Sequence, residues 1–140
     1  MTGTNLKDKS SSRNFRNYKV WQDAVDLATD VYKVTDVMPW FDKKSLCDQL
    51  RRAVVSISSN IAEGAGRSTD LEFAHFLDIS LGSSNEVETQ LLISKNIGYI
   101  TKEHYDKLIG KLYAIQKQLV GLIKQSGGTN FVIVPVIVQC

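Results

Sequence analysis

Residues that could form a catalytic pair are few in this sequence of 140 residues, and their spacing does not bring them together. Ser56, Ser58 and Ser59 are candidate nucleophiles, while His75 and His104 are the two histidines that could act as a base. A serine nucleophile needs a base within hydrogen-bond reach. Nothing in the pattern places either histidine beside these serines, so the sequence predicts no nucleophilic catalysis.

A metal centre is also not indicated. Di-metal sites in helical bundles take a Glu-x-x-His pair from each of two helices. Glu72 and His75 have that spacing, but Glu103 is followed directly by His104, so a second copy is missing. We therefore predict a protein that is not an enzyme and that holds neither a metal nor a cofactor.

Polar residues nevertheless form a line along one predicted helix, at the edge of its apolar stripe. They recur at helical spacing and comprise Gln49, Arg52, Ser56, Asn60 and Glu63. A polar line beside a core needs hydrogen-bond partners, because a lost partner costs about 1–3 kcal/mol. We predict a structural polar network in which Arg52 pairs with a carboxylate, either Glu86 or Glu63.

Basic residues are concentrated in two places, although the formal net charge is only +2. The N-terminal arm contributes Lys7, Lys9, Arg13, Arg16 and Lys19, and the outer arc of the last helix contributes Lys107, Lys111, Lys117 and Lys124. These residues are candidate nucleic-acid contacts. No helix carries the side chains that read base edges, so binding is expected to be mainly to phosphate.

Hydrophobic periodicity predicts four helices that would position these residues. They are expected from Val20 to Met38, from a cap at Ser45 to Gly64 and Gly66, from a cap at Thr69 to Gly98, and from a cap at Thr101 to Gly127. Short connections favour an all-α, antiparallel up-down-up-down four-helix bundle. The predicted organisation is a flexible basic arm over 1–19, the bundle over 20–126, and an apolar extended tail over 127–140.

Composition supports a single soluble domain, with 43% apolar and 23% charged residues. No segment is long enough to span a bilayer, and the first 19 residues lack the apolar stretch of a secretory signal, so we expect a cytoplasmic protein without membrane contact. Cys47 and Cys140 lack metal spacing and suit a reducing compartment.

Three strings resemble those of the 23S ribosomal RNA intervening-sequence proteins: "YKVWQDAVDLATDVYKVT", "LCDQLRRAVVSISSNIAEGAGR" and "FLDISLGSSNEVETQL". The resemblance covers about Phe15 to Gln125. It implies a closed bundle that assembles into a ring, pentameric in family members, with no enzymatic activity. The matching positions, to which the family assigns no proven chemistry, are Arg51, Arg52, Ser56, Asn60, Glu63, Gly64, Gly82, Ser83 and Glu86.

Two functions remain open at this stage. The first is a nucleic-acid-binding or ribonucleoprotein accessory protein, which the clustered basic residues favour and which a related accessory protein of diversity-generating retroelements exemplifies. The second is a scaffold that binds another protein without binding nucleic acid, which the apolar segment "TNFVIVPVIVQC" favours. Both include a homo-oligomer, with a pentamer favoured.

Overall fold

The computed structural model describes residues 13–38 and 43–128, and within these residues it is all-helical. Four α-helices follow one another: α1 (Lys19–Thr35), α2 (Asp48–Ala65), α3 (Asp70–Asn96) and α4 (Lys102–Gln125). A 3₁₀ turn, Phe15–Asn17, precedes α1, and a π-helical turn, Lys43–Cys47, leads into α2. The predicted all-α class is confirmed.

The ends of α3 and α4 follow from short-range sequence signals. The Thr69 hydroxyl accepts a hydrogen bond from the backbone N–H of Glu72, and the Thr101 hydroxyl accepts one from that of His104, both at 3.1 Å. Beyond the other ends, Gly98 and Gly127 have φ values of 82° and 90°, in the left-handed region that favours glycine. These caps and glycines confirm the predicted ends of α3 and α4.

The start of α2 differs from its prediction. Ser45 lies inside the π-helical turn Lys43–Cys47, and Cys47, which precedes α2, has helical φ and ψ values of −61° and −47°. A capping residue has an extended backbone, so Ser45 does not cap this helix and that prediction is wrong. At the other end, Gly66 follows the helix as predicted, but its φ of −81° is an ordinary right-handed value.

Each helix packs against its two neighbours in the cycle α1–α2–α3–α4–α1, which is the arrangement of a four-helix bundle. Ser56 meets Ser83 and Ile57 meets Ser80, so contacts along α2 run in the opposite order along α3. Lys111 meets Asp30 while Gln118 meets Asp23, so α4 and α1 are also antiparallel. The centre is filled by fully buried apolar side chains, among them Leu27, Leu50, Ile57, Ile61, Leu77, Leu91, Leu112, Ile115 and Leu119.

Residues 13–19 differ from the expected flexible arm because they pack on the bundle. Phe15 and Tyr18 lie against the core, and the Phe15 ring meets the Trp21 ring edge-on at 5.0 Å. Three bonds from the Arg13 side chain hold this segment to the end of α2 and the start of α3. Lys7, Lys9 and the predicted apolar tail from residue 129 onward lie outside the described residues.

Among the helices that the structure describes, none combines the length and the apolar composition that crossing a membrane requires.

Candidate functional site

The predicted polar line on α2 is present only in part. The hydroxyls of Ser56 and Ser83 are 2.8 Å apart, and the Asn60 amide donates to the carbonyl and hydroxyl oxygens of Ser56 at 2.8 and 2.9 Å. All three side chains are at least half-buried between α2 and α3. These three side chains satisfy one another's hydrogen bonds at the seam between α2 and α3.

Arg52 does not take part in this network. It is exposed and makes no ion pair with residues 13–38 or 43–128, and Glu86 is exposed as well. Glu63 instead lies 3.8 Å from Arg67, and Gln49 is exposed. The predicted buried pair of Arg52 with Glu86 or Glu63 is therefore wrong. Arg52 lies on the outer side of α2, whereas Ser56 and Asn60 lie at the seam with α3.

The neighbouring Arg51 carries out the cross-helix role expected of Arg52. Its Nε donates to the Thr35 hydroxyl at 2.8 Å and its Nη2 donates to the Tyr32 carbonyl at 3.3 Å. The guanidinium also lies 4.5 Å from the centre of the Tyr32 ring and 3.5 Å from an Asp36 carboxylate oxygen. Arg51 thus ties α2 to the end of α1. This role of Arg51 leaves no signal within α2, because its partners belong to a different helix.

The two matched glycines have different surroundings. Gly64 is buried, and a Cβ atom added to it would lie 2.5 Å from Cβ of Phe76. Gly82 is exposed in the middle of α3, and nothing in the structure lies within 4 Å of an added Cβ atom. Gly64 is therefore required by packing between α2 and α3, whereas the packing of this chain does not require a glycine at position 82.

Of the basic residues that the structure describes near the N-terminus, two pair with a carboxylate within the chain. Arg13 donates to the carboxylate of Asp70 at 2.6 Å, to the Ala65 carbonyl at 3.4 Å and to the Arg67 carbonyl. Lys19 pairs with Asp23 at 2.6 Å. Arg16 is exposed, and its guanidinium lies 4.5 Å from the centre of the Phe15 ring.

Asp23 accepts hydrogen bonds from Lys19 and from Gln118 of α4. Partial burial alone would raise the pKa of the Asp23 carboxyl, but these hydrogen bonds, helped by the charges of Lys19 and Lys111, outweigh it and the pKa is lowered. This carboxylate is therefore held in its charged form where α1 meets α4.

On α4, the four candidate lysines separate into two groups. Lys111 is half-buried and donates to the carboxylates of Asp26, at 2.7 Å, and of Asp30. These hydrogen bonds raise the pKa of Lys111 above its usual value. The charge of Lys111 is therefore neutralised by two carboxylates of α1. By contrast, Lys107, Lys117 and Lys124 are exposed and make no ion pair with any residue that the structure describes.

Two of the serines considered as nucleophiles have hydrogen-bond partners other than the two histidines. The Ser56 hydroxyl meets Ser83, the Ser58 hydroxyl donates to the Val55 carbonyl, and no hydrogen bond joins either to a histidine within the described ranges. In the same residues, no three His, Cys, Asp or Glu side chains are grouped so that they could hold a metal ion. Glu72 is engaged with Thr69 in the cap of α3.

Comparisons with known proteins agree with this architecture. A family model described as 23S rRNA-intervening sequence protein matches residues 16–121. A crystal structure from Bacteroides thetaiotaomicron, of a protein with unknown function from the S23 ribosomal protein family, is 25% identical with a TM-score of 0.67; the match covers 75% of this chain and 98% of that one. No curated protein sequence matches the chain. The match over most of the bundle shows that the chain belongs to the 23S rRNA-intervening sequence protein family.

Proposed function

We propose that this protein is a non-catalytic accessory protein that forms a ring-shaped homo-oligomer and binds nucleic acid through phosphate groups. The observation that carries the proposal is the set of exposed lysines on α4 that have no acidic partner in the described chain, Lys107, Lys117 and Lys124. Lysines without a carboxylate partner can contact phosphate and release bound counterions. Lys111 is left out, because Asp26 and Asp30 already neutralise it.

Arg16 extends this basic surface at one end of the bundle. Because Gln118 contacts Asp23 and α4 runs antiparallel to α1, Lys124 lies near the start of α1, at the same end as Arg16. Lys117 lies two turns of α4 before Lys124, on the same side of that helix. The other end of α4 is less basic, since Lys102 pairs with Asp106 at 2.7 Å and Glu103 is exposed.

The expected mode of binding is insensitive to base sequence. Lysines are flexible point charges that contact phosphate, whereas base reading needs donors and acceptors held in a groove. A ring would repeat the basic surface once per subunit, which would raise the number of phosphate contacts along one strand or duplex. An RNA-related role in turn implies a cytoplasmic location, where Cys47 stays reduced.

Fluorescence anisotropy tests the proposal with a labelled single-stranded RNA and a labelled DNA duplex over a series of salt concentrations. We expect binding to both, with an affinity that falls steeply as salt rises. Changing Lys107, Lys117 and Lys124 together to Gln should weaken binding to both. The salt slope should flatten by about 0.9 for the duplex and about 0.7 for the single strand for each phosphate contact that is lost. The matched control is Lys102→Gln, which removes an exposed lysine that already has a carboxylate partner.

Two results would contradict this proposal. One is the absence of binding by the unmodified protein at low salt and tens of micromolar protein. The other is an equal loss of affinity in Lys102→Gln and in the triple variant. In the first case the scaffold function becomes the better account, and the apolar side chains exposed on α3, such as Leu71 and Ile93, favour it.

A further inference from the structure

The outer surface of α3 carries several exposed apolar side chains among its polar residues. Its large side chains are not covered by the bundle, and Leu71 and Ile97 are 69% and 52% exposed. We define the α3 face by the exposed apolar residues on one side of α3, together with its C-cap residue Ile97 and one glycine: Leu71, Ile79, Gly82, Ile93 and Ile97. Exposed apolar surface of this kind marks interaction sites.

A second apolar surface lies where α1 meets α2. We define the α1–α2 face by Val25 and Tyr32 of α1 and Val55 of α2, all exposed, with the half-buried Trp21 and Ala62 beside them. The contact between Arg51 and the Tyr32 ring brings these parts of the two helices together. The α1–α2 face thus combines one exposed aromatic ring with small and β-branched side chains.

The two faces lie on different sides of the bundle. In the packing cycle, α3 lies between α2 and α4, and the groove between α1 and α2 is on another side. A contact between two different surfaces of identical chains is heterologous, and it generates rings when the rotation closes. Two copies related by a two-fold axis would instead use one surface twice.

Charges beside the two faces are complementary. Asp78 and Glu86 flank the α3 face and are exposed, and neither is in an ion pair with a described residue. Lys33 and Arg52 lie beside the α1–α2 face and are likewise exposed without an acidic partner in the described chain. The exposed Asp48 lies on the same side of α2, at one end of this face. Apolar patches with carboxylates beside one and mainly cations beside the other can bind each other.

We propose that the α3 face of one subunit docks on the α1–α2 face of the next, with Asp78 and Glu86 of one subunit opposite Lys33 and Arg52 of its neighbour. This inference rests on the proposed ring and names the surfaces that build it. It also gives Gly82 a role, since a residue without a side chain at the middle of the α3 face lets the adjoining subunit approach closely.

Complementation between two full-length variants tests the docking. Val55→Lys places a charge on the α1–α2 face, and Ile93→Lys places one on the α3 face. Each variant alone should run as a monomer in size-exclusion chromatography with light scattering. Mixed in equal amounts, they should form a dimer and nothing larger. The intact α3 face of Val55→Lys can dock on the intact α1–α2 face of Ile93→Lys, and the two faces that remain both carry a lysine. Ala114→Lys, on an exposed residue of α4 outside both faces, should leave the wild-type assembly unchanged.

Each of three other outcomes would overturn a different part of this proposal. If the wild-type chain is a monomer, the proposed ring is wrong and this docking falls with it. If the wild-type chain assembles and neither lysine substitution changes the mass of the assembly, the ring stands and the proposed docking is wrong. If Ile93→Lys is monomeric while Val55→Lys assembles normally, the contact uses the α3 face twice and is not heterologous. Circular dichroism checks that the variants fold, and Val25→Lys with Ile97→Lys repeats the test at a second position on each face.

Discussion

A Cβ atom on Gly64 would lie 2.5 Å from the Cβ atom of Phe76, a separation that side-chain atoms do not tolerate. Phe73 adds a second obstacle, because its Cδ1 atom would be 3.1 Å from the same position. Since the Cβ atom of Phe76 is fixed to the backbone of α3, a rotamer change cannot relieve the clash. The spacing between α2 and α3 at this end of the bundle therefore depends on the absence of a side chain at residue 64.

Gly64→Ala should destabilise the protein by about 1–3 kcal/mol, because α3 must shift away from α2 to admit one methyl group. The melting temperature should fall by several degrees, which differential scanning calorimetry can measure. Gly110→Ala is the matched control, since Gly110 is exposed in α4 and nothing lies within 4 Å of an added Cβ atom. That change should be neutral or stabilising by up to about 1 kcal/mol. Equal melting temperatures for the two variants would contradict the packing argument.

Arg51→Met should cost about 1–3 kcal/mol of unfolding free energy, because it removes the hydrogen bonds to Thr35 and Tyr32 and the contact with the Tyr32 ring. Arg52→Met should change the unfolding free energy by less than about 0.5 kcal/mol, since Arg52 is exposed and has no ion-pair partner in the described chain. Urea unfolding at a protein concentration too low for association measures both. A larger loss for Arg52→Met than for Arg51→Met would reverse our assignment.

The features of this fold that the sequence predicts correctly are those with a local signal. Thr69 and Thr101 cap their helices through bonds to residues only three positions away, and Gly98 and Gly127 adopt the backbone that only glycine adopts easily. Four amphipathic patterns, each long enough for a bundle helix, then indicate a four-helix bundle. These features depend on spacing along one helix, which a single sequence displays directly.

Interactions between helices were harder to predict. Arg51 and Arg52 are adjacent, so their side chains lie about 100° apart around α2, and Arg51 lies nearer the apolar stripe than Arg52 does. Which of them meets a partner depends on how α1 and α3 approach α2, and no pattern within α2 records that. The predicted cap at Ser45 is wrong although serine is a good capping residue, because the π-helical turn extends the helical backbone past this position.

Lys111→Met should lower stability at pH 7 by about 1 kcal/mol, a value kept modest by the partial exposure of Lys111 and Asp26 to solvent. The hydrogen bonds to Asp26 and Asp30 raise the pKa of Lys111, so its contribution is fully present below the unfolded lysine pKa of about 10.4. It is lost as pH rises through the higher folded pKa. Denaturant unfolding of both proteins should therefore show their difference shrinking above about pH 10.5. A difference that stays constant to pH 12 would exclude this origin.

Arg13→Ala should destabilise the protein by about 1.5–3 kcal/mol, because the guanidinium bonds to two backbone carbonyls and to Asp70 while its side chain is only 12% exposed. The segment around Phe15 and Tyr18 should also become more susceptible to limited proteolysis. Arg16→Ala, on an exposed arginine in the same segment, should show neither effect. If the two variants are cleaved at the same rate, Arg13 does not anchor this segment.

Removing residues 1–12 should weaken nucleic-acid binding without changing stability, since Lys7 and Lys9 are lost while the Arg13 contacts are kept. Removing residues 1–19 should also lower the melting temperature, because Phe15 and Tyr18 leave the core surface. Anisotropy titration and thermal unfolding of both truncated proteins separate the two effects. Unchanged affinity in the shorter truncation would restrict the binding surface to the bundle.

The ion pairs between Lys111 and α1 also bear on the order in which the bundle folds. Lys111 and Asp30 are 81 residues apart in the chain, whereas Ser80 and Ile57, which join α3 to α2, are 23 apart. Closing the longer loop costs about 1 kcal/mol more entropy, and distant contacts slow folding. We therefore expect α2 and α3 to pair early and α1 to dock on α4 late. Losing the Lys111 clamp would then accelerate unfolding and leave the folding rate almost unchanged.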